Sequence, residues 1–176
     1  MSVSTAATVH EVAQELLEAS VLILNDTIGG PVELAYLSPG LPSLDFQCDQ
    51  LAVWVAALGD EATSPLAPIP VVGQRRRMAW TNLAVFSVMA ARCVRVGNVT
   101  KGGYEPPTIY EVSGDARKTM EDGWALWNGV STAIINDGLF GGTCTDIKFV
   151  SMTPLSIAGG MAGWVLTISA ELAGYR

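Results

Sequence analysis

Apolar and polar positions recur along this chain with two different periods, and the switches between them mark out its elements. Between Pro107 and Gly138, Ile109, Val112, Ala116, Met120, Trp124, Trp127, Val130 and Ile134 follow one another at steps of three and four. Arg117, Lys118, Glu121, Asp122 and Asn128 fall between them, a spacing that predicts an amphipathic helix with one apolar face. Thr108 and Glu111 have the form of an N-terminal capping box, and Gly138, Gly141 and Gly142 close the far end. A break at Ser113-Gly114 is the alternative to one continuous helix, and Gly123 costs on the order of 1 kcal/mol relative to Ala if it is interior. A second helical run, Val9, Val12, Ala13, Leu16, Leu17, Ser20, Ile23 and Leu24, is opened by Thr8 and Glu11 and ended by Asn25-Asp26 and Gly29-Gly30-Pro31. Residues 1–7 read as a flexible polar tail.

Strand-like stretches separate and follow the two helices. Pro31 to Leu37 is a short one. Cys48 to Leu58 is apolar at both parities, the mark of an interior strand. Residues 59–75 form a long proline-rich loop with Pro65, Pro68 and Pro70, ending in Arg75-Arg76-Arg77. Met78 to Val96 is the longest β candidate, two or three times the usual strand length, and is expected to protrude or to run along a subunit seam. Asn98 to Tyr104 is a glycine-flanked connection, Thr145 to Met152 a strand, and the segment with Pro154 and Gly159-Gly160 a turn region. From Gly163 to Leu172 the alternation is cleanest: Trp164, Leu166, Ile168, Ala170 and Leu172 face one way, Val165, Thr167, Ser169 and Glu171 the other.

The order helix, strands, helix, strands predicts one α+β domain over 1–176. Its mainly antiparallel, twisted sheet carries both helices on one face, with a long β-hairpin and loop extensions. Trp124, Trp127, Trp164, Leu166 and Ile168 are the expected core where the second helix meets the last strand.

Composition sharpens the picture in one direction. Apolar residues make up 49% of the chain and charged residues only 15%, so apolar surface is expected to be hidden by self-association. A net charge of −7 argues against a general nucleic-acid binder. Cys48, Cys93 and Cys144 are odd in number and widely spaced, and read as buried thiols in a reducing compartment. The N-terminus shows no basic region followed by an apolar run, so no signal peptide is expected, and the greasy run 156–174 alternates like a strand and holds Glu171.

Candidate chemistry is sparse. His10 has no nucleophile or carboxylate signature around it, so it reads as a surface residue. The Gly-Gly pairs lack the Lys-Ser or Lys-Thr of a phosphate loop. Neighbouring acids such as Asp45 with Asp49, Asp60 with Glu61, or Glu121 with Asp122 do not have calcium-loop spacing. No catalytic, cofactor or metal residue is assigned, and the expectation is a protein that is not an enzyme. The Arg75 to Arg77 run is the strongest local charge signal. Together with Trp80, Phe86 and Arg92 it is the expected subunit or partner contact, and a solvated strand entrance is the plainer account.

The carboxyl half carries a further pattern. Arg92-Cys93-Val94-Arg95-Val96 leads through a loop to Pro107-Thr108, and a helix then bears Asp122-Gly123-Trp124-Ala125-Leu126-Trp127-Asn128-Gly129. A Gly-Gly turn, Cys144, and Gly159-Gly160-Met161-Ala162-Gly163-Trp164 before the last strand complete it. This resembles the tail terminator and head-to-tail connector (neck) proteins of long-tailed actinobacterial phages, most specifically over residues 92–172. Residues 38–75 depart from the smaller members in length and in the proline loop. The resemblance implies a structural virion protein, a tail terminator whose hexameric ring caps the tail tube and offers the docking surface for the head connector. Its partners would be further copies of itself, the tail-tube protein and the connector or stopper, with DNA passing through the lumen and no membrane. It would be made in the host cytoplasm and end in the virion neck. Another neck protein or a tail-tube subunit is the alternative within this class. From a different class, the alternative is a small-molecule-binding homo-oligomer with a pocket between Trp54, Trp80 and Trp124.

Overall fold

The computed structural model describes residues 5–42, 48–59, 83–158 and 160–172. Helix α1 (Thr5–Asn25) is followed by strands β1 (Leu34–Ser38), β2 (Gln50–Gly59) and β3 (Leu83–Cys93), and a small hairpin of β4 (Asn98–Thr100) and β5 (Gly103–Glu105). Helix α2 (Ile109–Asn136) and strands β6 (Cys144–Ala158) and β7 (Met161–Leu172) complete the chain. The main sheet has the order β1-β2-β3-β7-β6. It is antiparallel except for the edge strand β1, which runs parallel to β2. The fold is α+β, as the alternation of periods predicts.

Both helices lie on one face. Leu51 and Val53 of β2, Ala84, Phe86, Val88 and Ala90 of β3, and Leu166, Ile168, Ala170 and Leu172 of β7 share the core with Val12, Leu16 and Leu24 of α1 and Leu126 and Val130 of α2. The opposite face carries a second apolar cluster, Ala52, Trp54, Met89, Ala91 and Met161 with Tyr36, Leu155 and Val165 around it.

The ends of α2 obey the sequence signals. Glu111 donates its backbone N–H to the Thr108 hydroxyl at 3.4 Å, and the Glu111 carboxylate accepts the Thr108 backbone N–H at 2.9 Å. These bonds, with Arg95 at 2.6 Å, hold the Glu111 carboxyl below its ordinary value. At the far end Gly138 adopts φ +69, which turns the Leu139 N–H back onto the Ala133 carbonyl at 3.0 Å.

Several expectations need correction. Helix α1 starts at Thr5, so Thr8 lies inside it and does not open it, and residues 1–4 lie outside the described residues. Pro154 does not end a strand, because β6 runs on to Ala158 and the turn falls at Gly160. Proline is tolerated there since β6 is an edge strand with one side unpaired. The longest β candidate ends at Cys93, short of Val96, and 78–82 lie outside the described residues. Asn98 to Tyr104 folds largely into the β4–β5 hairpin.

Cysteine pairing is the plainest departure. Cys48 and Cys93 form a disulfide with Cα atoms 4.9 Å apart. Gln50 at the start of β2 pairs with Ala91 of β3, and Cys48 just before β2 thereby comes near Cys93 at the end of β3. Cys144 is free and half-buried, and burial with the nearby Glu15 pushes its thiol up to about 11. Such a thiol is a poor nucleophile at neutral pH.

Candidate subunit interface

Helix α2 shows two unlike flanks. Toward the sheet and α1 its buried residues are Thr119, Asp122, Gly123, Leu126 and Val130. A Cβ on Gly123 would stand 2.7 Å from the Trp164 indole, and one on Gly129 would stand 2.7 Å from Ile23 of α1. Glycine at these two positions is what lets α2 approach β7 and α1 so closely. The contact is made by lying near, and a side chain there would push the helix off.

The other flank overhangs β6 and is open. Trp124 is 70% exposed and Met120 66%, with Ile109, Tyr110 and Ile135 also exposed along the same side of the helix. Beneath them Trp127 meets Phe149 of β6 with ring centroids 5.0 Å apart. Met120, Gly123, Trp124, Trp127, Met152 and Trp164 line a cleft of about 430 Å³ between helix and sheet edge. Strand β6 is the last strand of the sheet there, and its register shifts at three places along β7. Bulges and Pro154 twist and blunt the edge, so side chains in the cleft, and not the β6 backbone, are what this flank offers.

A buried polar knot sits beside the cleft. Arg92, at the end of β3, is 3% exposed and donates from Nε to Asp122 Oδ2 of α2 at 2.7 Å. Its Nη2 donates to the Gly30 carbonyl at 2.6 Å, and Asp49 lies 3.8 Å from Nη1. Thr27 donates its hydroxyl to Asp122 Oδ1 at 2.5 Å, and the Ile28 N–H donates to Glu121 at 3.1 Å. A buried charge needs a partner and further hydrogen bonds to be stable. Here both carboxylate oxygens and three guanidinium nitrogens are engaged, and the knot ties the α1–β1 turn, β3 and α2 together.

The expected site residues separate accordingly. Arg92 and Phe86 are not surface contacts: Arg92 is in the knot and Phe86 is fully buried under the helices. Arg75, Arg76, Arg77 and Trp80 lie outside the described residues. Of the expected core, Leu166 and Ile168 are fully buried, and Trp127 and Trp164 are half-buried. Trp124 is corrected from core to surface, because Asp122 and Gly123 occupy the inward face at that turn. Trp54 lies on the sheet face opposite the helices, so it shares no pocket with Trp124.

A second apolar cleft of about 640 Å³, lined by Val9, His10, Ala13, Leu37, Ser38, Pro39, Val55 and Leu58, opens on the other side of the slab. Among the described residues no three His, Cys, Asp or Glu side chains gather to hold a metal ion, and no helix is long and apolar enough to cross a membrane. Comparison with models of known protein families finds no match, and comparison with curated proteins finds none either.

Proposed function

We propose that this chain is a structural subunit of a phage neck, a tail terminator that closes into a hexameric ring on the end of the tail tube. The observation that carries the proposal is the pair of unlike open flanks on one two-layered slab. The α2–β6 side bears the tryptophan and methionine cleft, and the β1 side bears exposed Leu34, Leu41 and the second cleft. Unlike surfaces that bind each other give a head-to-tail contact, which closes into a ring when the rotation allows. The resemblance supports the same reading. Its residues Arg92, Asp122, Gly123 and Trp164 meet at one junction, where the ion pair and the glycine approach set the position of α2. A chain of net charge −7 would present DNA with a repelling lumen, along which it slides without sticking.

Native mass spectrometry with negative-stain imaging tests the proposal. A six-subunit annulus with an open channel supports it. A compact dimer without a channel contradicts it and favours an apolar-ligand binder built on the α2–β6 cleft.

A further inference from the structure

We infer that the cleft between α2 and β6 is filled by a second copy of this chain, with Trp124 and Met120 at the centre of the contact. The inference rests on the neck reading for the identity of the partner, and on the surface itself for its place.

Three observations converge on this flank. Ile109, Tyr110, Met120, Trp124 and Ile135 share one side of α2 at helical steps, and all are largely exposed. Side chains of this kind present on the order of 150 Å² each, so the ridge offers roughly 700 Å², close to the roughly 800 Å² per partner of a standard interface. Arg117 lies on the same ridge between Tyr110 and Met120, and arginine, like tryptophan and methionine, is enriched in protein interfaces. The cleft floor of Trp127, Met152 and Trp164 is already fixed by the Gly123 approach and the Trp127–Phe149 contact, so an incoming side chain meets a formed surface.

The complementary surface is the second cleft at the β1 end of the sheet, where Leu58 is exposed. An apolar flank at each end of one sheet is what a repeating head-to-tail contact requires.

Hydroxyl-radical footprinting across a concentration series, read beside native mass spectrometry, tests the inference. Trp124 and Met120 should be reactive in the dilute chain and protected in the oligomer. Trp124→Glu should raise the concentration for half-assembly about thirtyfold or more, the loss expected at a contact's centre, with an unchanged far-UV circular dichroism spectrum. Trp124→Phe should largely restore assembly. Leu22→Glu, on an equally exposed position of α1 at 68%, should leave it unchanged. An oligomer in which Trp124 stays reactive overturns the inference, and so does a Trp124→Glu variant that assembles like the wild type. A monomer at every concentration also overturns it, whether the cleft is reactive or is protected by residues 60–82 of the same chain. A two-fold dimer with the cleft protected upholds the contact while contradicting the ring, which keeps the two claims separable.

Discussion

Arg92 and Asp122 carry the strongest single commitment in this molecule. Each is nearly inaccessible, and each satisfies the other, so removing one leaves an uncompensated charge. Asp122→Asn should therefore cost about 3 kcal/mol or more in urea unfolding, and Arg92→Met a similar amount. The double variant Arg92→Met with Asp122→Leu should cost far less than the sum of the two singles. Strict additivity would show that the pair is not coupled. Glu111 makes a different commitment, at the surface. Its carboxyl is held below the ordinary 4.5 by hydrogen bonds from Thr108 and by Arg95, so its contribution is complete above pH 4.5 and is lost as pH falls through the lowered folded value. The melting-temperature gap between wild type and Glu111→Ala should be constant above that pH and narrow below it. A gap that widened on acidification would contradict the capping box.

At the scale of the element, the phase of α2 decides which tryptophan matters for stability. Trp164→Ala should cost about 3 kcal/mol, since its indole packs on the Gly123 backbone, whereas Trp124→Ala should cost under about 1 kcal/mol in the dilute chain. Equal costs would mean that α2 is rotated from the orientation described. The sequence makes α2 legible as a helix because Thr108, Glu111 and Gly138 punctuate it. It hides the phase because the inward stripe, besides Leu126 and Val130, holds Thr119, Asp122 and Gly123, residues that a count of apolar positions assigns to solvent. Two signals pointed inward all the same: a lone arginine at the end of an otherwise apolar strand, and a glycine in mid-helix. A buried arginine needs a carboxylate, and an interior glycine reports a close approach. The sheet was more readable. Leu166 and Ile168 fall on the core face from alternation alone, and β2 and β3, apolar at both parities, place buried side chains on both faces of the sheet. The parallel pairing of β1 with β2 and the Cys48–Cys93 bridge depend on register between distant segments, which no local pattern encodes.

Across the described residues, the apolar composition finds its account in three places: a core under the helices, a second cluster on the opposite face of the sheet, and flanks left open at its ends. A chain with 15% charged residues and exposed tryptophan, methionine and isoleucine on one helix is built to be covered. The ring reading supplies the cover from identical neighbours and leaves the remaining faces for the tail tube and the head connector. Electron microscopy of purified tail tubes mixed with this chain tests that claim most directly. The account predicts a ring about six copies of 18.5 kDa in mass, seated on one end of each tube. Bare tube ends, or chain bound along the tube sides with no ring at the end, would contradict it.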